Sequence, residues 1–301
     1  MNQNGLSIQQ LFADEHLASS IARTLLISGF DLKDVRQFLA PKQRGLTLQP
    51  VVACFYSRWC DVHLNRAEVF AKHTLLGFYQ HSMHIEVRRR IFEKLDFHDI
   101  KLPLPTQTRF GQSCRFCPEC VIEDEAHVGT SYWHVQHQLP TARTCHKHPK
   151  TVLVESCNHC GYRFVDLVKD VTPSLSCPAC RCQLIEHTSF THNTDTLWLQ
   201  ETGSNFQSAD FDWMRPAHEF ALRYQLAHSF CDFTKKHKYC QDTVLQAAFL
   251  EWLRDTNLIE YLIPEKWPVA HRFFNEKVVR EHPLSAPILS KLLWDRFLTT
   301  Q

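Results

Sequence analysis

The sequence predicts a mainly α-helical protein carrying a small zinc-stabilised α+β module between two helical regions. Three observations predict this. Apolar residues recur at helical spacing in the N-terminal and C-terminal thirds. Between them, cysteines and histidines cluster in tight pairs from residue 114 to residue 182. Only 8 Gly and 14 Pro occur in 301 residues, too few for a long disordered linker. The predicted organisation is a helical region over 1–105, helix-turn-helix-like at its start, a tandem zinc-ribbon or finger module over 106–190, and a helical region over 191–301.

The first helix comes from DEHLASSIARTLLISGF, where Leu17, Ile21, Leu25 and Ile27 lie near one face and Gly29 can end the helix. DLKDVRQFLA then restarts, with Asp31 as N-cap and Val35, Phe38 and Leu39 on one side. Helix, short turn and helix outline a helix-turn-helix, although a plain helical hairpin is the simpler reading. Further helical stretches are expected near 51–60, 66–80 and 84–95. KLPLPTQTRFGQS, 101–113, reads as a connector because of its prolines and turn formers. Residues 161–190 read as short strands and turns. The helical pattern returns in FALRYQLAHSFCDFTKK and TVLQAAFLEWLRDTNLIEYL.

Charge limits the function classes. Lys plus Arg against Asp plus Glu runs 13 to 10 over 1–106, 8 to 8 over 107–190 and 12 to 14 over 191–301. No region has the basic excess of a protein that holds DNA mainly through phosphates. Arg88, Arg89 and Arg90, with Lys235, Lys236 and Lys238, are the local candidates for phosphate contacts. Solvated helix faces are the simpler reading of both runs. The N-terminus lacks a basic start followed by an apolar run, and no stretch approaches the roughly 18 apolar residues of a membrane span. A cytoplasmic protein with reduced thiols is expected, so its 13 Cys point to metal or buried thiols rather than a disulfide framework.

Four pairs supply metal ligands in order: Cys117/Cys120, Cys145/His148, Cys157/Cys160 and Cys177/Cys180. One tight turn can present two ligands when two residues separate them, and structural zinc takes four at tetrahedral angles. Eight ligands make two closed sites, so the expected cofactor is Zn2+, two structural ions. Sequential and cross-braced pairing both remain open on spacing alone. In CRFCPEC, Pro118 sits just inside the Cys117 turn, as Pro178 does after Cys177, and fixes φ there. Gly161 follows Cys160 where a positive φ is often required. Cys114 and Cys182 are therefore the spare thiols. The Asp124–His127 string DEAH has no accompanying phosphate loop, and no catalytic set or open metal position is apparent.

From Cys117 to Cys160 the order CPEC, Gly129, Trp133, HQLP, CHKH and CNHC resembles the signature of the TniQ/TnsD family of transposon target-selection proteins. The opening DEHLASSIARTLLISG is similar to the family's N-terminal segment. HTLLGFY at 73–79 and, more weakly, HPLSAPILSKLLWDRFL resemble stretches of the TnsD branch. Pro149 replaces a usual Gly after the ligand His, and Gly77 replaces a Pro. TnsD-type proteins are longer, so a C-terminal DNA-binding part is expected to be missing from this chain. The resemblance implies a non-enzymatic adapter that recognises double-stranded target DNA or an RNA-guided effector complex. It also implies recruitment of an AAA+ transposition ATPase of the TnsC kind and permits a homodimer. Tyr132, Trp133 and Leu139 would pack beside the first site. The competing readings are a zinc-dependent DNA-binding regulator that acts without an ATPase, and a zinc enzyme with an open metal position.

Overall fold

The computed structural model describes residues 11–31, 33, 66–80, 113–165, 170–185, 193–208, 243–262, 284, 288, 291 and 295. Its regular structure is mostly helical: α1 (Leu17–Ile27), α2 (Arg66–His73), α3 (Leu76–Tyr79), α4 (Pro118–Val128), α5 (Thr194–Ser208) and α6 (Thr243–Asp255). Two 3-10 turns, Gln136–Gln138 and Leu258–Tyr261, complete it. The strands expected over 161–190 are reduced, among the described residues, to isolated antiparallel bridges such as Ser156↔Arg163 and Ser176↔Gln183. Each knuckle turns back after one pair of residues, so no ladder can extend. The chain divides into two compact units, residues 1–77 with 110–191 and residues 78–109 with 192–301.

In the first unit α1 starts at His16, whose Nδ1 accepts the Ala18 N–H at 3.2 Å. Burial, and secondarily His73, push the His16 imidazole down to about 4, which keeps that acceptor lone pair free. The helix ends where Gly29 adopts φ +85°. Leu17, Ala18, Ile21, Ala22 and Leu25 are buried, but Ile27 is 62% exposed. Ile27 is thus a correction to the expected apolar face: ten residues beyond Leu17 its direction has rotated off the stripe through 17, 21 and 25. Asp31 Oδ1 accepts the Lys33 N–H at 2.7 Å, as an N-cap would. Val35, Phe38 and Leu39, the 51–60 and 84–95 helices, and the 220–236 stretch lie outside the described residues. The expected 66–80 helix is interrupted at Thr74, whose Oγ1 accepts the Leu76 N–H at 3.2 Å and starts α3.

The entry to α1 is stitched to the segment following α4. Val135 N–H donates to Asp14 O at 2.8 Å and His16 N–H to Trp133 O at 2.7 Å. Asp14 takes a left-handed φ of 61°, and its Oδ1 accepts the Gln136 N–H at 3.1 Å, which offsets that strain. Glu15 and Arg23 form a buried two-point ion pair, with N–O distances of 3.2 and 2.8 Å. Such a pair in low dielectric specifies geometry more than it adds stability. His134 lies between two carboxylates, Nδ1 at 3.2 Å from Asp14 and Nε2 at 2.8 Å from Asp124. Burial opposes a charge on His134, yet the Asp124 and Asp14 hydrogen bonds outweigh it and raise its pKa above the ordinary 6.5.

The core of this unit gathers Ala18, Cys114, Phe116, Val121, Trp133, Cys157, Phe164, Cys177 and Leu184. It joins α1, α4 and both cysteine-rich halves into one apolar cluster. In the second unit Phe78 N–H donates to Gln207 Oε1 of α5 at 3.0 Å. Lys291 is nearly buried, 2.9 Å from Asp195 and paired with Asp295, whose Oδ2 accepts the Trp252 Nε1–H at 3.1 Å. The TVLQAAFLEWLRDTNLIEYL pattern is helical to Asp255. Asn257 then takes φ 57° and turns the chain into the 3-10 segment.

Candidate metal centre

α4 begins at Cys117, which occupies the N-cap, with Pro118 in the first turn where the missing N–H costs nothing. Cys120 is three residues along, one turn above it, so the helix N-terminus carries both sulfurs. Its free N–H groups and positive dipole end favour thiolates there. The opposite pair sits on a tight loop: Cys145 N–H donates to Thr151 O at 3.0 Å and Thr151 N–H to His148 O at 2.9 Å. The Thr151 hydroxyl also donates to Glu119, tying this loop back to α4.

These elements place Cys117, Cys120, Cys145 and His148 with all four donor atoms within 4.8 Å of one another. His148 Nδ1 lies 3.4 Å from Cys117 Sγ, 3.4 Å from Cys120 Sγ and 3.6 Å from Cys145 Sγ, and Cys120 and Cys145 are 3.5 Å apart. Tetrahedral bonds of about 2.3 Å to sulfur and 2.0–2.1 Å to nitrogen require edges of about 3.8 and 3.5 Å. The donor set and its spacing therefore fit a metal ion of zinc size. Hydrogen bonds from Cys120 and Cys145 hold the Cys117 thiol far below its ordinary range, and the same sharing pushes Cys120 far above it. Three sulfurs packed this closely cannot all ionise without a cation among them.

His148 Nε2 is 2.9 Å from Glu123 Oε1, on the next turn of α4 beyond Cys120. The carboxylate takes the Nε2–H and so leaves the Nδ1 lone pair facing the sulfurs, the usual support of a metal-binding imidazole. The sequence reading had not singled out Glu123. Its signal was the i, i+4 relation of Glu119 and Glu123 on a helix starting at CPEC.

The second cluster is Cys157, Cys160, Cys177 and Cys180, again with all donors within 4.8 Å. Cys157 and Cys180 are 3.7 Å apart and Cys160 and Cys177 are 3.6 Å apart. Its two halves are copies of one turn: Gly161 N–H donates to Cys157 O at 2.8 Å and Arg181 N–H to Cys177 O at 2.9 Å. The residue after each second Cys has positive φ, 73° at Gly161 and 64° at Arg181. The Cys160 and His159 amides lower the Cys157 thiol; at Cys177 burial opposes ionisation, but the Cys180 and Ala179 amides bring the thiol down to about 7. The grouping in both clusters is sequential rather than cross-braced.

Residues 7–150 match the family model described as TniQ. The chain carries a TniQ-family domain. No curated protein matched the chain. The domain ties it to transposition. The TniQ match closes just past His148, so it contains the first cluster entire and leaves the second beyond it. The family's opening segment carries Glu15, whose carbonyl oxygen is 2.8 Å from His73 Nδ1, the first residue of HTLLGFY.

In this TniQ domain Trp133, Tyr132 and Leu139 are buried. Cys114 lies in the apolar core, and Cys182, half-buried, uses its carbonyl to accept the Cys177 N–H at 2.8 Å. The DEAH string forms the last turns of α4, where Asp124 bonds His134 and His127 bonds the Glu123 carbonyl. Arg88, Arg89, Arg90, Lys235, Lys236 and Lys238 lie outside the described residues. Among the described residues no helix is long and apolar enough to cross a membrane. Two further residues escaped the sequence reading. Buried Arg115 donates to the Leu139 and Ala142 carbonyls and shapes the HQLP turn. His137, on that turn, reaches the first cluster.

Proposed function

We propose that this TniQ protein is a non-enzymatic target-selection adapter for DNA transposition. It engages double-stranded target DNA or a DNA-bound guide complex and recruits the AAA+ ATPase of the transposition machinery. The observation that carries this reading is the TniQ match over a segment built around a four-donor cage. The metal in both cages is zinc: seven thiolates and one imidazole are a soft, closed donor set suited to it. Zinc there acts as a cross-link that holds short loops in a region poor in regular structure.

The chain's own residues fix a rigid surface around it. Glu123 orients His148, Glu119 ties α4 to the His148 loop, and the His134 bridge locks α1 onto the same module. Four protein donors at each cage leave no position for a reacting water, which supports an adapter over a zinc hydrolase. Near-balanced charge favours a protein partner as the main source of affinity, with Arg88–Arg90 and Lys235–Lys238 as auxiliary phosphate contacts.

The test is co-elution of the full zinc-loaded chain with an AAA+ transposition ATPase of the TnsC kind, with target duplexes and with guide complex. Stable association with the ATPase is expected. Binding to a specific duplex with steep salt dependence and no effect of the ATPase would instead make it a free-standing regulator.

A further inference from the structure

His137 is buried (1% exposed), and its Nε2 points at the sulfur cluster, 3.3 Å from Cys145 Sγ and 3.8 Å from Cys120 Sγ. The fourth donor position opposite the three sulfurs is already filled by His148 Nδ1, 3.4–3.6 Å from each of them. His137 therefore sits outside the Cys120–Cys145 edge rather than within the cage. Its Nδ1 is buried without a hydrogen-bond partner. An orphaned acceptor lone pair costs less than an orphaned N–H, so the proton belongs on Nε2, facing the sulfurs.

The turn that carries the ring is held in place. It is the 3-10 turn Gln136–Gln138, and Gln138 is clamped to Arg115 by bonds of 2.9 and 2.7 Å and to His134 O at 2.9 Å.

We propose that His137 donates its Nε2–H to the Cys145 thiolate, shared with Cys120, and that this bond stabilises the first metal cage and shields its sulfurs from electrophiles. The proposal rests on the zinc reading of that cage. His137 is a positioning residue: an N–H bond draws charge from a thiolate, which lowers its nucleophilicity while keeping it a ligand. Loss of that bond exposes a fuller charge. In alkylation by iodoacetamide, a sulfur lone pair forms the S–C bond, the C–I bond breaks and iodide leaves. The resulting thioether holds the ion poorly, so metal release reports the attack.

The experiment compares the full-length zinc-loaded chain with His137→Phe, which fills the space without a donor, and His137→Gln, which retains one. Zinc release under iodoacetamide is followed with a chromophoric chelator, with the second cage as internal reference. His137→Phe should release the first zinc about 10- to 100-fold faster and leave the second unchanged, with His137→Gln between it and the parent. Cobalt-substituted protein should keep the three-sulfur, one-nitrogen component of its spectrum unchanged in all three, beside the four-sulfur component of the second cage.

Release at the parental rate from His137→Phe would overturn the proposal. So would a changed cobalt ligand set, which would make His137 a ligand through its grouping with Cys145 and His146. Equal loss of metal from both variants would assign His137 to packing alone and overturn it too. A parent chain that bound no metal at the first cage would instead defeat the zinc reading itself.

Discussion

Cys117→Ser is expected to lose one of the two metal ions and unfold the module around α4, whereas Cys114→Ser should keep both. Cys117 is a donor of the proposed first site and stands at the N-cap of α4, where its side chain makes no capping hydrogen bond, so its loss acts through the missing donor beside Cys120 and not through a lost cap. Metal binding in such small modules supplies folding free energy directly, about 10–16 kcal/mol apparent for zinc-finger peptides. A serine hydroxyl is not a thiolate and cannot replace that. Cys114 sits in the apolar cluster with Phe116, Trp133 and Phe164 and belongs to neither donor group. Its replacement buries a hydroxyl and costs about 1–3 kcal/mol. Elemental analysis beside far-ultraviolet circular dichroism checks both. Metal lost from Cys114→Ser would move the knuckle three residues upstream to Cys114/Cys117 and break the alignment with the TniQ signature, and metal retained by Cys117→Ser would contradict both arrangements.

Trp133→Ala should lower stability by about 3–5 kcal/mol, read as the urea midpoint of the metal-loaded chain. The indole is fully buried, edge-on to Phe116 at 6.0 Å between centroids and tilted to Phe164 at 6.1 Å. Its Nε1–H donates to the Asp170 carbonyl at 2.8 Å, linking the first knuckle module to the second. Its backbone also receives α1: its carbonyl accepts the His16 N–H, and its amide N–H donates to the Ser19 hydroxyl oxygen. Trp133→Phe keeps part of the ring packing and loses the hydrogen bond, so it should fall between parent and alanine. A drop below 1 kcal/mol for alanine, with ATPase association abolished, would instead make Trp133 a docking anchor.

The cages were legible because ligand spacing is local. A C-x2-C or C-x2-H turn brings its own two donors together whatever surrounds it, and the proline after Cys117 marks the pair in CRFCPEC that the fold groups with Cys145 and His148. The first helix was legible for the same reason, through its 3.6-residue stripe, although Ile27 fell off that stripe. What spacing does not encode is which distant segments meet. Asp14, Asp124 and His134 each look like ordinary polar residues in sequence, yet the fold threads the imidazole between the two carboxylates. Arg115, inside CRFCPEC, reads as a surface charge but is buried against the HQLP turn. Among the described residues of 161–190, the expected short strands and turns are reduced to isolated bridges, because each cysteine knuckle is a tight turn. Each hairpin then needs only one bridge.

The central claim is that two closed four-donor cages organise the chain. Zinc-edge X-ray absorption on the purified full chain, with elemental analysis, tests it most directly. The account predicts two zinc ions per chain sharing seven sulfurs and one imidazole nitrogen, with no oxygen ligand. A single ion, or an oxygen in either coordination shell, would contradict it.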